Sequence, residues 1–443
     1  MSRPKWIPEF DLDLSVSASG QLELAGCNLV ALAKEFGTPL YVYDEAALRR
    51  RCQRYRQAFT SYEPGYEILY ASKAFLPLAM AELIEQEGLG LDVMSGGELY
   101  TALKAGVSPD KIYFNGNNKS PVELAEAIDA GIRGIIVDNL LELERVSAIA
   151  KAKQVVQTVL LRINPGVEAH THEYIKTAKL DSKFGFSLLD NSTIEAVRRV
   201  LIDQNLKLLG FHCHIGSQIF SLDSYRAAID VMLQFAAEVR SQTGFVWKEL
   251  NLGGGLGVRY VESDDPQPIE SLAAQIIATV STGCQKYSLP KPRLLLEPGR
   301  SIVGEAGLTL YTIGACKTIP GIRTYVAVDG GMTDNPRVAL YQAKYSAVNA
   351  SKANSVPDQV VSVAGKCCES GDMLIWDIAL ADPQPDDVLA VFSTGAYTYS
   401  MASNYNRLLR PAVVFCRDGR SKLVVRRQSY EDLLNCEFSL NEG

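Results

Sequence analysis

The chain has 443 residues, 47% hydrophobic and 21% charged, with a formal net charge of −7; this is ordinary for a globular protein with a normal core, and the length allows two or three domains. No basic run is long enough to track a nucleic-acid backbone, and no window reaches the roughly 18 apolar residues of a membrane helix, so neither partner is expected. Nine cysteines without paired spacing, behind a polar N-terminal segment that lacks a signal-peptide core, predict reduced thiols and a cytoplasmic location.

In chain order, the segment LDLSVSASGQLELAG predicts a hairpin. From residue 67 onward, short apolar runs rich in β-branched residues alternate with stretches at helical spacing. The strand candidates are EILYASK (67–73), GLDVMS (90–95), KIYFNG (111–116), GIIVD (134–138), TVLLRIN (158–164), LLGFHCHIG (208–216), ELNLGGG (249–255) and RLLLEPGR (293–300). Helical segments such as PVELAEAIDAG and LLELERVSAIAKA lie between them. This repeat predicts an α/β fold, a TIM-like (β/α)8 barrel with its chemistry at the C-terminal strand ends; a doubly wound sheet is the alternative. After about residue 308, strand-like runs follow one another without long helices. They predict a C-terminal antiparallel β-sandwich or barrel domain, joined by the N-terminal segment. The expected boundaries are 1–37 for that segment, 38–308 for the barrel and 309–443 for the β domain.

Lys73 ends the first strand, where desolvation favours the neutral amine that a Schiff base needs; a lysine there can also simply snorkel to solvent. NLGGGLG (251–257) follows the seventh strand, at the usual phosphate site of such barrels, and its glycines let backbone N–H groups approach an anion. Ser217 can add a hydroxyl from the adjacent loop. Glu297, closing the eighth strand with Gly299 and Arg300, suits a partner for a protonated pyridine nitrogen, or else a rim ion pair. His212 and His214 share one face of a strand, but no third ligand accompanies them and no metal is expected. Vicinal Cys367 and Cys368 read, as residues alone, as buried structural cysteines.

The segments YASKAF, LDVMSGGELYTAL, NGNNKS, LRINPG, DSKFGF, HCHIGSQI, NLGGGLG, EPGRSIVGEAG, VDGGMTDNPRVALY, CESGD and TGAYTYSMASNYN occur in this order. Together they resemble the fold-type III pyridoxal-phosphate enzymes, which include ornithine and arginine decarboxylases and alanine racemase, and most nearly their diaminopimelate decarboxylase branch. The resemblance implies pyridoxal 5′-phosphate as cofactor and decarboxylation of meso-2,6-diaminopimelate to L-lysine. The alternative is another basic amino acid or carboxynorspermidine as substrate. It implies that Lys73 links the cofactor, that His214 stacks on its ring and that Glu297 partners the ring nitrogen. Asp92, Arg162, Ser217, Gly254, Gly255, Gly299, Arg300 and Tyr397 would complete the cofactor site. Arg300, Arg337, Tyr341, Glu369 and Tyr397 would contact the substrate, and Cys368 would return the proton. It further implies a homodimer with active sites at the subunit interface.

Overall fold

The computed structural model describes residues 4–167 and 182–440. His170, His172 and Asp181 of the DSKFGF motif lie outside the described residues. The chain divides into two compact units, one of residues 51–257 and 266–301, the other of residues 1–50, 258–265 and 302–443.

The first unit is the barrel. Its eight parallel strands are Tyr66–Ala71, Gly90–Val93, Ile112–Phe114, Gly134–Val137, Gln157–Asn164, Leu206–His212, Glu249–Asn251 and Arg293–Leu296. They pair in sequence order, and the ring closes where Leu294 to Leu296 pair with Tyr66 to Ile68. Most of these strands are buried along their whole length, as both faces of a barrel wall are covered. Inside, Leu69, Tyr113, Ile136, Leu160, Leu209 and Leu295 form one apolar layer. At its edge Tyr113 donates to Glu249 Oε2 (2.8 Å), and Arg133 pairs with the same carboxylate. Gly210 is required in the sixth strand, because a Cβ there would stand 1.8 Å from the Glu249 carbonyl oxygen.

The crossover helices start where their sequences say they should. Ser95, Ser120 and Asn139 each accept a hydrogen bond from a backbone amide of the first turn, and Ser120 forms a full capping box with Glu123. Each cap fixes where a strand-end loop stops, and those loops carry the site.

The second unit begins with the expected hairpin, Leu14–Val16 against Leu22–Leu24. Its main sheet has the order 373–380, 359–364, 323–328, 307–319, 40–44, 412–417, 420–425, with strand 388–391 joining 307–319 to 347–349. Strand Gly307–Ile319 is the spine: its first half pairs with Leu40–Asp44 and with Val388–Val391, its second half with Arg323–Val328. The expectation of an antiparallel domain is corrected to a mixed sheet. Strands 323–328 and 359–364 are parallel, as are 40–44 and 412–417. Both parallel pairs join strands separated by long stretches of chain, which a hairpin cannot supply. Leu40–Asp44, expected at the head of the barrel, belongs to this sheet instead.

A truncation in the barrel layer reports on that core directly. Leu160→Ala, at a fully buried position, should lower unfolding free energy by about 2–5 kcal/mol in chemical denaturation. A loss below about 1 kcal/mol would contradict the packing described.

Candidate active site

The C-terminal strand ends of the barrel unit converge on Glu297. This carboxyl group is 4% exposed and accepts 2.7 Å from Asn251 Nδ2, at the end of the seventh strand. His212, at the end of the sixth, places Nε2 3.2 Å from Glu297 Oε1. Burial opposes ionisation of Glu297, but His212, hydrogen-bonded to it, and the charge of Lys73 outweigh burial and hold the carboxyl well below the usual range. Burial pushes the His212 imidazole down. A neutral imidazole that donates Nε2–H to an ionised carboxylate satisfies both shifts. Nδ1 of His212 then has no partner among the described residues.

Lys73 sits in a single 3-10 turn, Ser72–Ala74, directly after the first strand. Its charge acts on Asp92, Glu98, His212, His214 and Glu297, so the lysine faces the converging strand ends. Asp92 closes toward the same point from the second strand. It is fully buried, neither carboxylate oxygen has a partner among the described residues, and burial followed by the charge of Glu297 raises its pKa. Two buried carboxyls near one lysine are thus pushed apart, Glu297 toward the anion and Asp92 toward the acid. Arg162 donates 3.2 Å to Asn115 Oδ1 and stacks 4.2 Å from the centre of the Phe184 ring.

The glycine loop forms a recess that no side chain can fill. Gly253 has φ +65°, and a Cβ there would lie 2.7 Å from His214 Nδ1. A Cβ on Gly254 would lie 2.1 Å from the Glu297 carbonyl oxygen, and one on Gly255 would lie 2.6 Å from that of Gly216. The Gly254 N–H points at His214 Nδ1 at 3.4 Å. Burial and the charge of Lys73 push the His214 imidazole down to about 3. Beside the recess, Arg300 donates to Ser217 Oγ at 3.0 and 3.3 Å. Gly299 packs where a Cβ would touch Ala71 and Ala74 at 3.1 Å.

Lys73, Asp92, Arg162, His214, Ser217, Gly254, Gly255, Glu297, Gly299 and Arg300 are therefore together in one unit. Arg337, Tyr341, Cys368, Glu369 and Tyr397 belong to the other. There Arg337 is buried, and its NH1 donates to the hydroxyls of Tyr260 (2.6 Å) and Tyr345 (3.2 Å). The guanidinium also stands 5.0 Å over the Tyr260 ring, which packs edge-on against Tyr345. Cys368 and Glu369 are exposed on their loop, and the Cys368 N–H is held by Asn406 Oδ1 at 2.8 Å. Cys367 is buried beside it, so the vicinal pair divides into one core thiol and one exposed thiol.

Sequence reasoning missed three of these residues. His212 was read only as a companion of His214, and Tyr260 and Tyr345 were not singled out. Tyr260 lies three residues past NLGGGLG and Tyr345 four past Tyr341, and nothing local marks either as a partner of Arg337.

This barrel and its strand-end site define a pyridoxal-dependent decarboxylase. The family model for the pyridoxal binding domain of these enzymes matches residues 45–304. The diaminopimelate decarboxylase of Bacillus subtilis (strain 168) is 51% identical over 424 residues, which are 96% of this chain and 97% of that protein. A crystal structure of the diaminopimelate decarboxylase from M. jannaschii in complex with L-lysine superposes with a TM-score of 0.91 at 34% identity, covering 97% of this chain and 98% of that one. That of the Helicobacter pylori enzyme, also with L-lysine, gives 0.83 at 30% identity over 93% and 99%. The chain belongs to the diaminopimelate decarboxylase family, and its cofactor is pyridoxal 5′-phosphate. Among the described residues, no helix is long and apolar enough to cross a membrane.

The neutral state of His214 is open to measurement. The unfolded chain takes up its proton near the ordinary value of about 6.5, the folded one only near 3. Acidification between those values therefore favours unfolding. His214→Gln should flatten this part of the stability–pH curve relative to wild type. An imidazole resonance of His214 titrating near 6.5 in the folded apoprotein would contradict the placement.

Proposed function

We propose that the chain removes one carboxylate of meso-2,6-diaminopimelate, at its D-configured centre, and releases CO2 and L-lysine. The observation that carries this reading is the buried Glu297, held by Asn251 and His212, among strand ends that also carry a lysine, a glycine recess and a buried Asp92. The fit to the cofactor is supported in three places. The recess at Gly253 to Gly255 has room only because Cβ atoms are absent. The two oxygens of Asp92 lack a partner among the described residues. Glu297 keeps the negative charge that a protonated ring nitrogen requires. Bound pyridoxal phosphate supplies a protonated ring that draws off the electron pair left by the departing carboxylate.

The chain's residues then divide the remaining work. Lys73 Nζ would anchor the cofactor through its amine. Ser217, Gly254, Gly255, Gly299 and Arg300 cradle its phosphate with hydroxyl, guanidinium and backbone donors. His214, being neutral, offers a flat uncharged ring face. Arg162 and Asp92 would border the same ring, and Tyr397 would contact phosphate and substrate. Cys368 Sγ returns a proton to the carbon that lost its carboxylate.

Substrate choice rests on the distal end. Arg337 is fixed by Tyr260 and Tyr345 at its NH1 end, and the planar fork has further donors for a bidentate carboxylate. Arg300 and Tyr341 add contacts, and Glu369 accepts from the distal ammonium. Ornithine has no carboxylate there and would leave a buried guanidinium unpaired, a cost of about 1–3 kcal/mol or more. The acting form is a cytoplasmic homodimer in which Cys368 and Glu369, exposed within one chain, serve the site of the other.

Three measurements test this reading. Incubation with cofactor and meso-diaminopimelate should give lysine and CO2; turnover of ornithine with diaminopimelate inert would overturn the substrate assignment. Tyr260→Phe removes one acceptor from Arg337 and should raise KM about fivefold to tenfold with little change in kcat. An unchanged KM would show that the tyrosine does not position the arginine. Mixed Lys73→Ala and Cys368→Ala chains, each inactive alone, should recover about a quarter of the wild-type rate by random pairing. No recovery after subunit exchange would place both residues in one subunit's site.

A further inference from the structure

The glycine triplet after the seventh strand is tied down by its carbonyls. That of Gly253 accepts from the Glu297 N–H at 2.8 Å, and that of Gly255 from the Ile219 N–H at 2.9 Å. A side chain holds the carbonyl between them: the Tyr225 hydroxyl donates to the Gly254 oxygen at 3.1 Å. Tyr225 stands in the first turn of the helix Asp223–Thr243 and is 3% exposed. Burial pushes its hydroxyl well above the usual phenol range, so it stays a donor at any working pH.

The amides divide in a complementary way. The Gly253 N–H donates to Asn251 Oδ1 at 2.9 Å, and the Gly254 N–H points at His214 Nδ1. The Gly255 N–H meets no acceptor among the described residues. It shares a planar trans peptide with the Gly254 carbonyl, so the two groups point in opposite directions. Fixing that carbonyl on Tyr225 therefore aims the Gly255 N–H away from the tyrosine. A peptide flanked by two glycines can otherwise turn over at little cost, because glycine accepts either sign of φ. Gly255 has φ +120°, and a Cβ on it would stand 3.2 Å from the Tyr225 hydroxyl, so the tyrosine lies against the peptide that could turn. The turned form would present a carbonyl oxygen where an anion needs a donor.

We propose that Tyr225 is a positioning residue for the cofactor phosphate, holding the Gly254–Gly255 peptide in the orientation that offers its N–H to the anion. The proposal rests on the cradle assigned above to Ser217, Gly254 and Gly255. A hydrogen bond to a charged acceptor is about twice as strong as a neutral one, and this one is lost whenever the peptide turns.

The test compares pyridoxal phosphate with pyridoxal, which has the same ring and aldehyde but no phosphate, by spectroscopic titration of the full-length apoprotein. Tyr225→Phe removes only the hydroxyl. It should weaken pyridoxal phosphate about tenfold to a hundredfold and change pyridoxal less than about twofold. Tyr62→Phe is the control, since Tyr62 also donates a buried hydroxyl to a carbonyl, that of Pro292 at 2.8 Å. It should alter neither affinity, with a melting midpoint within about 3 °C of that of Tyr225→Phe. An equal loss for both ligands in Tyr225→Phe, or no loss for either, overturns the proposal. Gly255→Ala tests the cradle itself. If it leaves the preference for the phosphate intact, the cradle assignment falls and the role of Tyr225 with it. If it abolishes that preference while Tyr225→Phe does not, the role of Tyr225 alone falls. Should Tyr225→Phe not fold, the wild type still decides by NMR with isotope-labelled glycine. Its Gly255 amide resonance should move downfield when inorganic phosphate is added to the apoprotein, and an unmoved resonance overturns the proposal.

Discussion

An ionised carboxylate shut away from water is the most demanding group in the barrel, and the site is organised around keeping Glu297 in that state. Burial of a lone carboxylate costs several kcal/mol even after the protein relaxes. The cost is offset by donors from three strand ends: Asn251 at 2.7 Å, the Nε2–H of His212 at 3.2 Å and the charge of Lys73. Each stands at the C-terminal end of a different parallel strand, the one place in this architecture where several strands can aim polar groups at a common point. Asp92 shows what happens without such support. It is as deeply buried, no donor reaches it among the described residues, and its carboxyl is pushed toward the protonated form. The same chemical group is drawn toward the anion in one place and pushed toward the acid in the other by its neighbours alone.

That contrast explains which parts of the site could be read from the sequence. Lys73, Glu297 and the glycine triplet were legible because each terminates a run with strand character, and eight such runs imply a ring that gathers their ends. His212 was not, because strand periodicity pairs it with His214. The strand in fact ends at His212, and the two rings take up different tasks. Tyr260 and Tyr345 were illegible for a different reason. Their importance lies in a contact with Arg337 that spans 77 and 8 residues of chain, and no local pattern encodes it. The fold shows the same limit. The hairpin and all eight barrel strands follow from local composition, whereas the place of Leu40–Asp44 in the second unit's sheet depends on partners near residues 307 and 412. Strand Met373–Leu380 was also missed, its run broken by Asp377 at φ +49°.

Buried charge recurs away from the reacting groups, with a different outcome. Lys119 and Glu142 form a nearly solvent-free pair at 2.7 Å, and the lysine also donates to the carbonyls of Gly116 and Ile136. Burial, ahead of the attraction of Lys119, raises the Glu142 carboxyl to about 7, and it lowers Lys119 in turn. Such a pair contributes little net stability compared with an apolar one of the same shape. What it does hold is position: Lys119 ties the loop after the third strand to the fourth, and that loop begins with Asn115, the acceptor for Arg162.

The two units therefore use charge in opposite ways. In the barrel unit, charged groups are matched to one another, so that the field at the strand ends is set before any ligand arrives. Preorganisation of this kind speeds a reaction because the groups need not reorient as charge develops. In the second unit, Arg337 is held by neutral hydroxyls and an aromatic face rather than by a carboxylate. Its positive charge is thus steadied but not cancelled. An arginine paired with a protein acid would gain nothing from a substrate carboxylate, and one left loose would lose side-chain entropy on binding. Neutral tyrosine partners avoid both costs, so in the proposed role the clamp, rather than the arginine alone, would decide what the distal end can recognise.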